Sequence, residues 1–484
     1  MPALKKPVAP YETAVLPAAQ ATLAVTTDVL VVGAGPAGMA AAVGAARSGA
    51  SVVLADENGF LGGSATVALV NPMVSFFTHG GSEAAKTERE PLLFPRDHGE
   101  GMPVIGGVFR DFLELLFGRA GCLLPSSATG YTTPFDPELY KLAAMDLIDN
   151  AGVRVLLHAS AFVTASGKDM NDVFFHTKSG AVAIRAKIVC DCTGNGDIAA
   201  AAGASFEIGR DDGLTQPATL HFRIGGFSPE RFKKYVEKHP DDWTGVSGLQ
   251  RLMKQAADHE NSSFPREDML FFGSTYEDEV YVNSTRISGV LGTDVFDLTR
   301  AEWEGRRQTE TVFAFLKKHV PGFEHARLVQ TGATICIRET RRITGRYMLS
   351  EHDLLSAQRF EDAVAQGAYP IDVHDPDGKG TALQHIPAGK AYQIPLRSLI
   401  PVNLNWLVMA GRCISGTHLA HASYRVMPVA FATGHAAGVC AALAATCGLP
   451  VDSVPAGKVR AVLRSQGALL DTSAYVDIAA TAVS

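Results

Sequence analysis

One stretch, TDVLVVGAGPAGMAAAVGAARSGASVVLADENGFLGG at 27–63, constrains the fold of this chain more than any other. Residues 28–32 are short, β-branched and bounded by glycine, which predicts a buried parallel strand. Gly33, Gly35 and Gly38 follow at G-x-G-x-x-G spacing. Residues 39–48 are rich in alanine and predict a tightly packed helix, and 51–55 predict a second strand with Asp56 at its end. Gly33 permits the tight turn, Gly35 lets the backbone approach a pyrophosphate, and Gly38 lets the helix lie against the sheet. The helix N-terminus offers unpaired N–H groups and a positive dipole end to that phosphate, and Asp56 offers a carboxylate to ribose hydroxyls. A glycine triplet alone is weak. Strand, glycines, helix, strand and acid in order predict a dinucleotide site.

The 484 residues are 46% hydrophobic and 19% charged, with a net charge of −7. That suits a soluble protein with a large core, built as two domains or as one with a sizeable insertion. Mild acidity speaks against nucleic acid or an anionic membrane as partner. No apolar run reaches the roughly 18 residues that a membrane span needs. Lys5 and Lys6 precede a stretch broken by Pro10, Glu12 and Pro17, so a surface arm is expected there rather than an export signal. The seven cysteines (Cys122, Cys190, Cys192, Cys336, Cys413, Cys440, Cys447) are odd in number and scattered, without C-x-x-C. No metal site is expected, the cysteines read as small buried hydrophobes, and a cytoplasmic location follows.

Further along, 64–107 is loop-like and holds the polar stretch HGGSEAAKTEREP; 108–117 and 137–151 predict helices, the second ended by Gly152. Residues 153–193 predict a strand, an antiparallel ribbon and a returning parallel strand. Residues 406–410 predict one more buried strand, and 428–445 a small-residue helix. The expected organisation is an N-terminal arm (1–26), the first segments of a dinucleotide domain (27–205), an α+β substrate or cap domain (206–394), the last segment of the dinucleotide domain (395–450) and a C-terminal extension (451–484). The fold class is α/β: a Rossmann-like parallel sheet carrying an antiparallel β-ribbon, plus the inserted α+β domain. Ligands of such sheets sit outside the carboxyl ends of the strands, where Gly33–Gly38, Thr193–Asp197 and Gly411–Ser415 fall.

The blocks VVGAGPAGMAAA (31–42), GFLGGSAT (59–66), CDCTGNGDIAAAAGA (190–204), RETRRITGRY (338–347), AYPIDVHDPDGKG (368–380) and AGRCISGTHLAHASYRVMPVAFATGHAAG (410–438) carry a resemblance. The chain resembles the FAD-dependent oxidoreductases of the glutathione-reductase-like superfamily, and within it the branch related to the heterodisulfide reductase flavin subunit. The resemblance implies non-covalent, extended FAD. It sets Gly33, Gly35 and Gly38 at the pyrophosphate, Asp56 at the adenosine ribose, and Gly62, Gly63 and Thr66 along the ribityl and flavin. Thr193, Gly194 and Asp197 match a second flavin motif, and Gly411 and Arg412 close over the ring. Arg412 stands where many members of the wider superfamily carry Asp, and is expected to serve a phosphate or a flavin oxygen. The cysteine cluster of an iron–sulfur relay is missing. Pro428 lies near the start of a helix whose N-terminus is expected at the flavin.

A flavin takes a hydride, so the protein must place the substrate carbon and take up a proton. In AYPIDVHDP, alternation sets Asp372 and His374 on one side of an extended segment, and the acid should raise the imidazole pKa. In a helical CIRETRRITGRY, Arg338 and Arg342 would share a face suited to a carboxylate or a polyol. His418 and His421 precede the flavin-facing helix. The catalytic candidates are therefore His418, His374, Arg338 and Arg342, with Tyr347, Tyr392 and His385 behind them. No second glycine fingerprint is visible, so an external electron acceptor is expected beside a small-molecule substrate, and a homo-oligomer is allowed. The reading is a dehydrogenase or oxidase acting at a CH–OH or CH–NH bond. Its rivals are a flavin monooxygenase consuming NAD(P)H and oxygen, and a flavin-fold RNA-modifying protein, which the acidic charge disfavours.

Overall fold

The short apolar run after residue 20 pairs on both sides, and that pairing organises the whole chain. In the computed structural model, which describes residues 20–79, 92–95, 101–260, 263–378 and 380–471, strand β1 spans Thr22–Val32. It starts at Thr22 rather than at residue 28. Thr22, Leu23, Val25 and Thr26 pair with Val182–Arg185, so the last residues of the expected N-terminal arm are strand. The rest of that arm (1–19), nearly all of the polar stretch after His79, and 472–484 of the C-terminal extension lie outside the described residues.

Helix α1 (Pro36–Arg47) and strand β2 (Val52–Ala55) complete the opening unit. Helices α2 (Val108–Gly118) and α3 (Pro137–Asn150) follow. Asp136 starts α3 by accepting the N–H groups of Glu138 and Leu139. Strands β3 (Arg154–Leu156), β4 (Ser160–Ser166), β5 (Asn171–Thr177) and β6 (Gly180–Asp191) build the sheet in the order β3-β2-β1-β6-β5-β4. It is parallel from β3 to β6 and antiparallel from β6 to β4. Helix α4 (Asp197–Ala201) closes this part.

The next segment changes texture. Strands β7 (Phe206–Ile208), β8 (Phe222–Gly225), β9 (Ser247–Gly248), β10 (Met269–Gly273), β11 (Glu279–Val282) and β12 (Arg327–Thr331) alternate with helices α5 (Pro229–Lys238), α6 (Gln250–Glu260) and α7 (Val295–His319). Five of the strands form an antiparallel sheet, β12-β8-β11-β10-β9. It has its own core, in which Phe227, Phe232, Trp243, Phe271 and Phe323 pack ring against ring at tilted and edge-on angles. Strand β13 (Arg341–Ile343) pairs with β7 and returns the chain. Helix α8 (Glu351–Leu355) and two ribbons follow, β14 (Ala363–Gly367) with β17 (Tyr392–Pro395), and β15 (Ile371–His374) with β16 (Thr381–Gln384). Strand β18 (Leu407–Met409) then joins β6 in parallel, ahead of helices α9 (His418–Tyr424), α10 (Met427–Cys447) and α11 (Ala456–Ser465).

Helix α10 lies directly on α1. A Cβ at Gly434 or Gly438 would stand 2.0 Å from the carbonyl oxygen of Ala37 or Ala41, so the two backbones meet where only glycine fits. The 21 residues of α10 reach a mean hydropathy of 1.5 over an 18-residue window, long and apolar enough to cross a membrane by length and composition. This corrects the expectation that no segment does so. Thr433 and His435 look like interruptions in the sequence, but Thr433 Oγ1 bonds back to the Val429 carbonyl and His435 Nε2 meets Gln466. Since 83% of that window is buried inside the protein, α10 is a core helix.

Candidate active site

The carboxyl ends of β1, β6 and β18 open onto one cavity of about 350 Å³, at the switch point of the sheet. Its walls include Gly33, Gly35, Asp56, Gly63, Thr193, Gly194, Gly411 and Arg412, while Cys336 and Ile337 roof it. Gly33 turns at φ +97, and a Cβ on Gly38 would fall 1.6 Å from the Gly33 carbonyl oxygen. Gly35 differs: a Cβ there would meet only the Gly63 Cα, at 3.7 Å, and would otherwise project into the free space. The N-terminus of α1 has no side-chain cap. Asp56 is buried at the end of β2 and accepts the N–H of Ala34 at 2.5 Å and those of Asn58 at 2.7 and 2.9 Å. A carboxylate has about four acceptor positions, so one is left for a hydroxyl. Beside it, burial first, then Asp56 and Asp197, raise the Glu57 carboxyl above its ordinary value.

The remaining candidates shape this wall from behind. Thr66 is turned into its own loop, with Oγ1 donating to the Leu61 carbonyl at 2.9 Å, and Gly62 takes φ +114 against it. Thr193 Oγ1 donates to Asp191 and accepts the Asp197 N–H at 2.9 Å, while the Asp197 carboxylate pairs with Arg341. The Arg412 guanidinium donates to the carbonyls of Gly194 and Ile337 and to Asn195 Oδ1. These three bonds lock β18 to the Thr193 turn and the roof and leave two of its five N–H donors. Bare glycine cradle, uncapped helix start and spare carboxylate valence together fit the extended dinucleotide FAD. Asn195, which also lines the cavity, carried no signal in the sequence beyond its place in the TGNGD turn.

Beyond the roof lies a buried polar cluster. Residues 338–340 are irregular and Arg341–Ile343 is strand, so the expected helix sharing Arg338 and Arg342 does not form. β13 pairs with β7 instead, a long-range partner that outweighs local helical spacing. Arg342 gives four of its five N–H donors to Glu339, Glu207 and the carbonyls of Gly209 and Gly416. Glu339, wholly buried, also accepts the Gln216 N–H at 3.2 Å and faces His418 Nδ1 at 2.9 Å, while His418 Nε2 has no partner. His374 does share a side with Asp372, Nε2 to Oδ2 at 3.6 Å, and its Nδ1 meets Thr381 at 3.2 Å. Its pKa is not raised: burial first, then Arg338, push it down to about 3. Burial works against the Asp372 charge, but His374 and Arg425 outweigh it and hold the carboxyl well below the usual range. Burial and Arg338 likewise push His221 down to about 3. His421 is buried, and burial ahead of Arg342 keeps it neutral. Tyr347 is bonded to Asp353 and Tyr392 to Ser423. In the sequence Glu339 reads only as a solvent-facing partner of its neighbouring arginines and Arg425 carries no signal of its own; Gln216 and His221 reach the cluster from the cap with no motif to mark them.

Comparison with known proteins gives the chain a family. Over a stretch of 40 residues it is 70% identical to the alpha subunit of a sarcosine oxidase from Corynebacterium sp. (strain P-1), a match spanning 8% of this chain and 4% of that protein. Similar solved structures include p-nitrophenol 4-monooxygenase PnpA from Pseudomonas putida DLL-E4, at 10% identity and TM-score 0.45, covering 95% of this chain and 92% of that one. A geranylgeranyl bacteriochlorophyll reductase-like protein from Thermoplasma acidophilum matches at 12% identity and TM-score 0.42, covering 91% and 82%. The family model described as FAD dependent oxidoreductase matches residues 28–463. With that match running through the glycine turn, the roof and α10, the chain belongs to the FAD dependent oxidoreductase family.

Proposed function

We propose that this FAD-dependent enzyme oxidises a small polar substrate at a CH–OH or CH–NH bond and passes the electrons to an external acceptor. FAD held along the Gly33–Gly38 turn supplies the two-electron acceptor for the substrate C–H bond. The observation that carries the proposal is the Glu339–His418 pair. Glu339 is wholly buried and sits 2.9 Å from His418 Nδ1, which leaves Nε2 as the imidazole's unpartnered nitrogen. A carboxylate so placed fixes the tautomer with the proton on Nδ1, and Nε2 is then the base that takes the proton from the substrate O–H or N–H. His374 is the weaker candidate, because both its ring nitrogens already face protein partners.

Arg342 holds Glu339 by a direct ion pair and acts as a positioning residue rather than as a substrate contact. Arg338 is the guanidinium left for the substrate's polar end. The short likeness to a sarcosine oxidase subunit is in keeping with the CH–NH alternative. Anaerobic mixing of the holoenzyme with hydroxy acids, amino and N-methylamino acids, and sugars tests it. Bleaching of the flavin by at least one class, without NAD(P)H, is expected. Reduction by NAD(P)H alone, with no bleaching by any CH–OH or CH–NH compound, would overturn it.

A further inference from the structure

The cluster beyond the roof has more hydrogen-bond donors than it has acceptors. Arg338 is 6% exposed, and its recorded bonds go to the Pro217 carbonyl and, at 3.5 Å, to the Asn283 amide oxygen. No carboxylate among the described residues pairs with it. Arg425 lines the cavity; its acidic contact is Asp372 Oδ2 at 3.7 Å, its bond to the Asp372 carbonyl is 3.4 Å long, and its Nε has no partner. Gln216 Nε2, on a side chain 2% exposed, has no partner either. The acids present are committed: Glu339 to Arg342, His418 and the Gln216 N–H, and Asp372 to Arg425 and His374.

Three guanidiniums, Arg338, Arg342 and Arg425, therefore stand around two buried carboxylates. Glu207, half exposed, adds only a 3.3 Å contact to Arg342. One positive charge is left over, and it is left at Arg338 and Arg425. His374 and His221 add nothing to that charge: burial first, and then Arg338, keeps both neutral. A buried cation without a counter-ion is expensive, and a buried amide donor without an acceptor adds to the cost. Both costs vanish together if the ligand brings an acceptor-rich anion, and a planar carboxylate matches the fork of a guanidinium.

We propose that the substrate is a small carboxylic acid, of the 2-hydroxy or 2-amino class, whose carboxylate is bound by Arg425 and Arg338 with Gln216 donating to it. This rests on the oxidative role given above and adds the substrate class to it. In such a compound the oxidisable carbon adjoins the anchored carboxylate, and its hydroxyl or amino group is the group that loses a proton to His418. The C–H hydrogen would leave with both bonding electrons, as a hydride, to bound FAD, and the product would be the 2-oxo or 2-imino acid. A neutral alcohol or amine leaves the extra charge unanswered.

The test uses the FAD-loaded enzyme and non-reactive probes: acetate, propionate and benzoate against the matching amides, read by perturbation of the flavin absorbance. The acids are expected to bind at least 10²-fold more tightly than the amides. Arg425→Gln and Arg338→Gln are each expected to weaken acid binding by tenfold or more, with FAD content and melting temperature checked in parallel. The comparison of acid with amide needs no variant, so a variant that fails to fold does not decide it. Equal binding of acid and amide would overturn the proposal, as would bleaching by neutral alcohols or amines while the acids neither bind nor compete; in that second case the oxidative role survives. If the acids bind selectively but no CH–OH or CH–NH compound of any class bleaches the flavin, the anion site stands and the oxidative role falls.

Discussion

Replacing Gly35 by alanine should separate cofactor binding from folding. In the protein as it stands the new Cβ touches nothing closer than the Gly63 Cα at 3.7 Å, and the residue's φ of −73 suits any side chain. Alanine is a poorer N-cap than glycine by up to ~1 kcal/mol, but it loses about 0.4–1 kcal/mol less backbone entropy on folding. Apoprotein stability should therefore change by less than about 1 kcal/mol. The methyl group instead fills the space through which a phosphate reaches the backbone of the turn. Loss of two charge-assisted N–H contacts, at about 1.5–3 kcal/mol each, corresponds to roughly 10²–10⁴-fold in Kd. Urea unfolding of the apoprotein and titration with FAD by fluorescence measure the two quantities independently. A Gly35→Ala variant that binds FAD within threefold of the parent would refute the placement of the pyrophosphate. So would equal loss of affinity and of apoprotein stability. Gly38→Ala is the contrast: its Cβ would sit 1.6 Å from a carbonyl oxygen, so the fold itself should suffer.

Glu339→Gln leaves Arg342 without its buried ion pair and should cost about 3–5 kcal/mol in denaturant unfolding, whereas Glu230→Gln on the exposed face of α5 should leave the unfolding midpoint unchanged. Gly438→Ala drives a methyl group to 2.0 Å from the Ala41 oxygen, so α1 and α10 must part; a loss of at least ~2 kcal/mol and weaker FAD retention are expected in thermal melts. Burial, and then the Gln466 contact working against it, leave the His435 pKa at about 4, below its unfolded value. The unfolded chain therefore binds the proton first as pH falls, and this stability is full above about pH 6.5 and lost progressively down to pH 4. By pH 5 the loss through His435 is of the order of 2 kcal/mol, and His435→Gln should flatten that acid limb in melts taken from pH 7 to 5.

What was legible in the sequence was mostly local. The strand, the glycine turn, α1 and Asp56 are adjacent in the chain, and each has a conformational reason that operates within a few residues. The antiparallel ribbon and α10 were readable for the same reason, through alternation and through an unbroken run of small residues. The substrate side was not. Residues 338–343 carry helical spacing among their arginines, yet Arg341–Ile343 pairs with Phe206–Ile208, far away in the chain, and no local pattern announces that partner. The roles of Arg342 and Glu339 follow from that pairing and from the His418 turn meeting it. The expected rise in the His374 pKa failed because the neighbouring acid was visible in the sequence, whereas Arg338 and the depth of burial were not. Arg412 stands in a block that the sequence marks, but its bonds to the carbonyls of Gly194 and Ile337 join segments that no local pattern connects.

The central claim is that FAD in this cavity receives electrons from a substrate whose proton goes to a Glu339-held His418. Anaerobic rapid mixing of substrate with the FAD-loaded parent and His418→Asn enzymes, followed across pH, tests it most directly. The variant should keep its FAD and melting temperature, reduce flavin about 10²–10⁴-fold more slowly, and lose the acidic limb of the pH–rate profile. Flavin reduction at the parental rate in the His418→Asn enzyme, with the acidic limb unchanged, would contradict it.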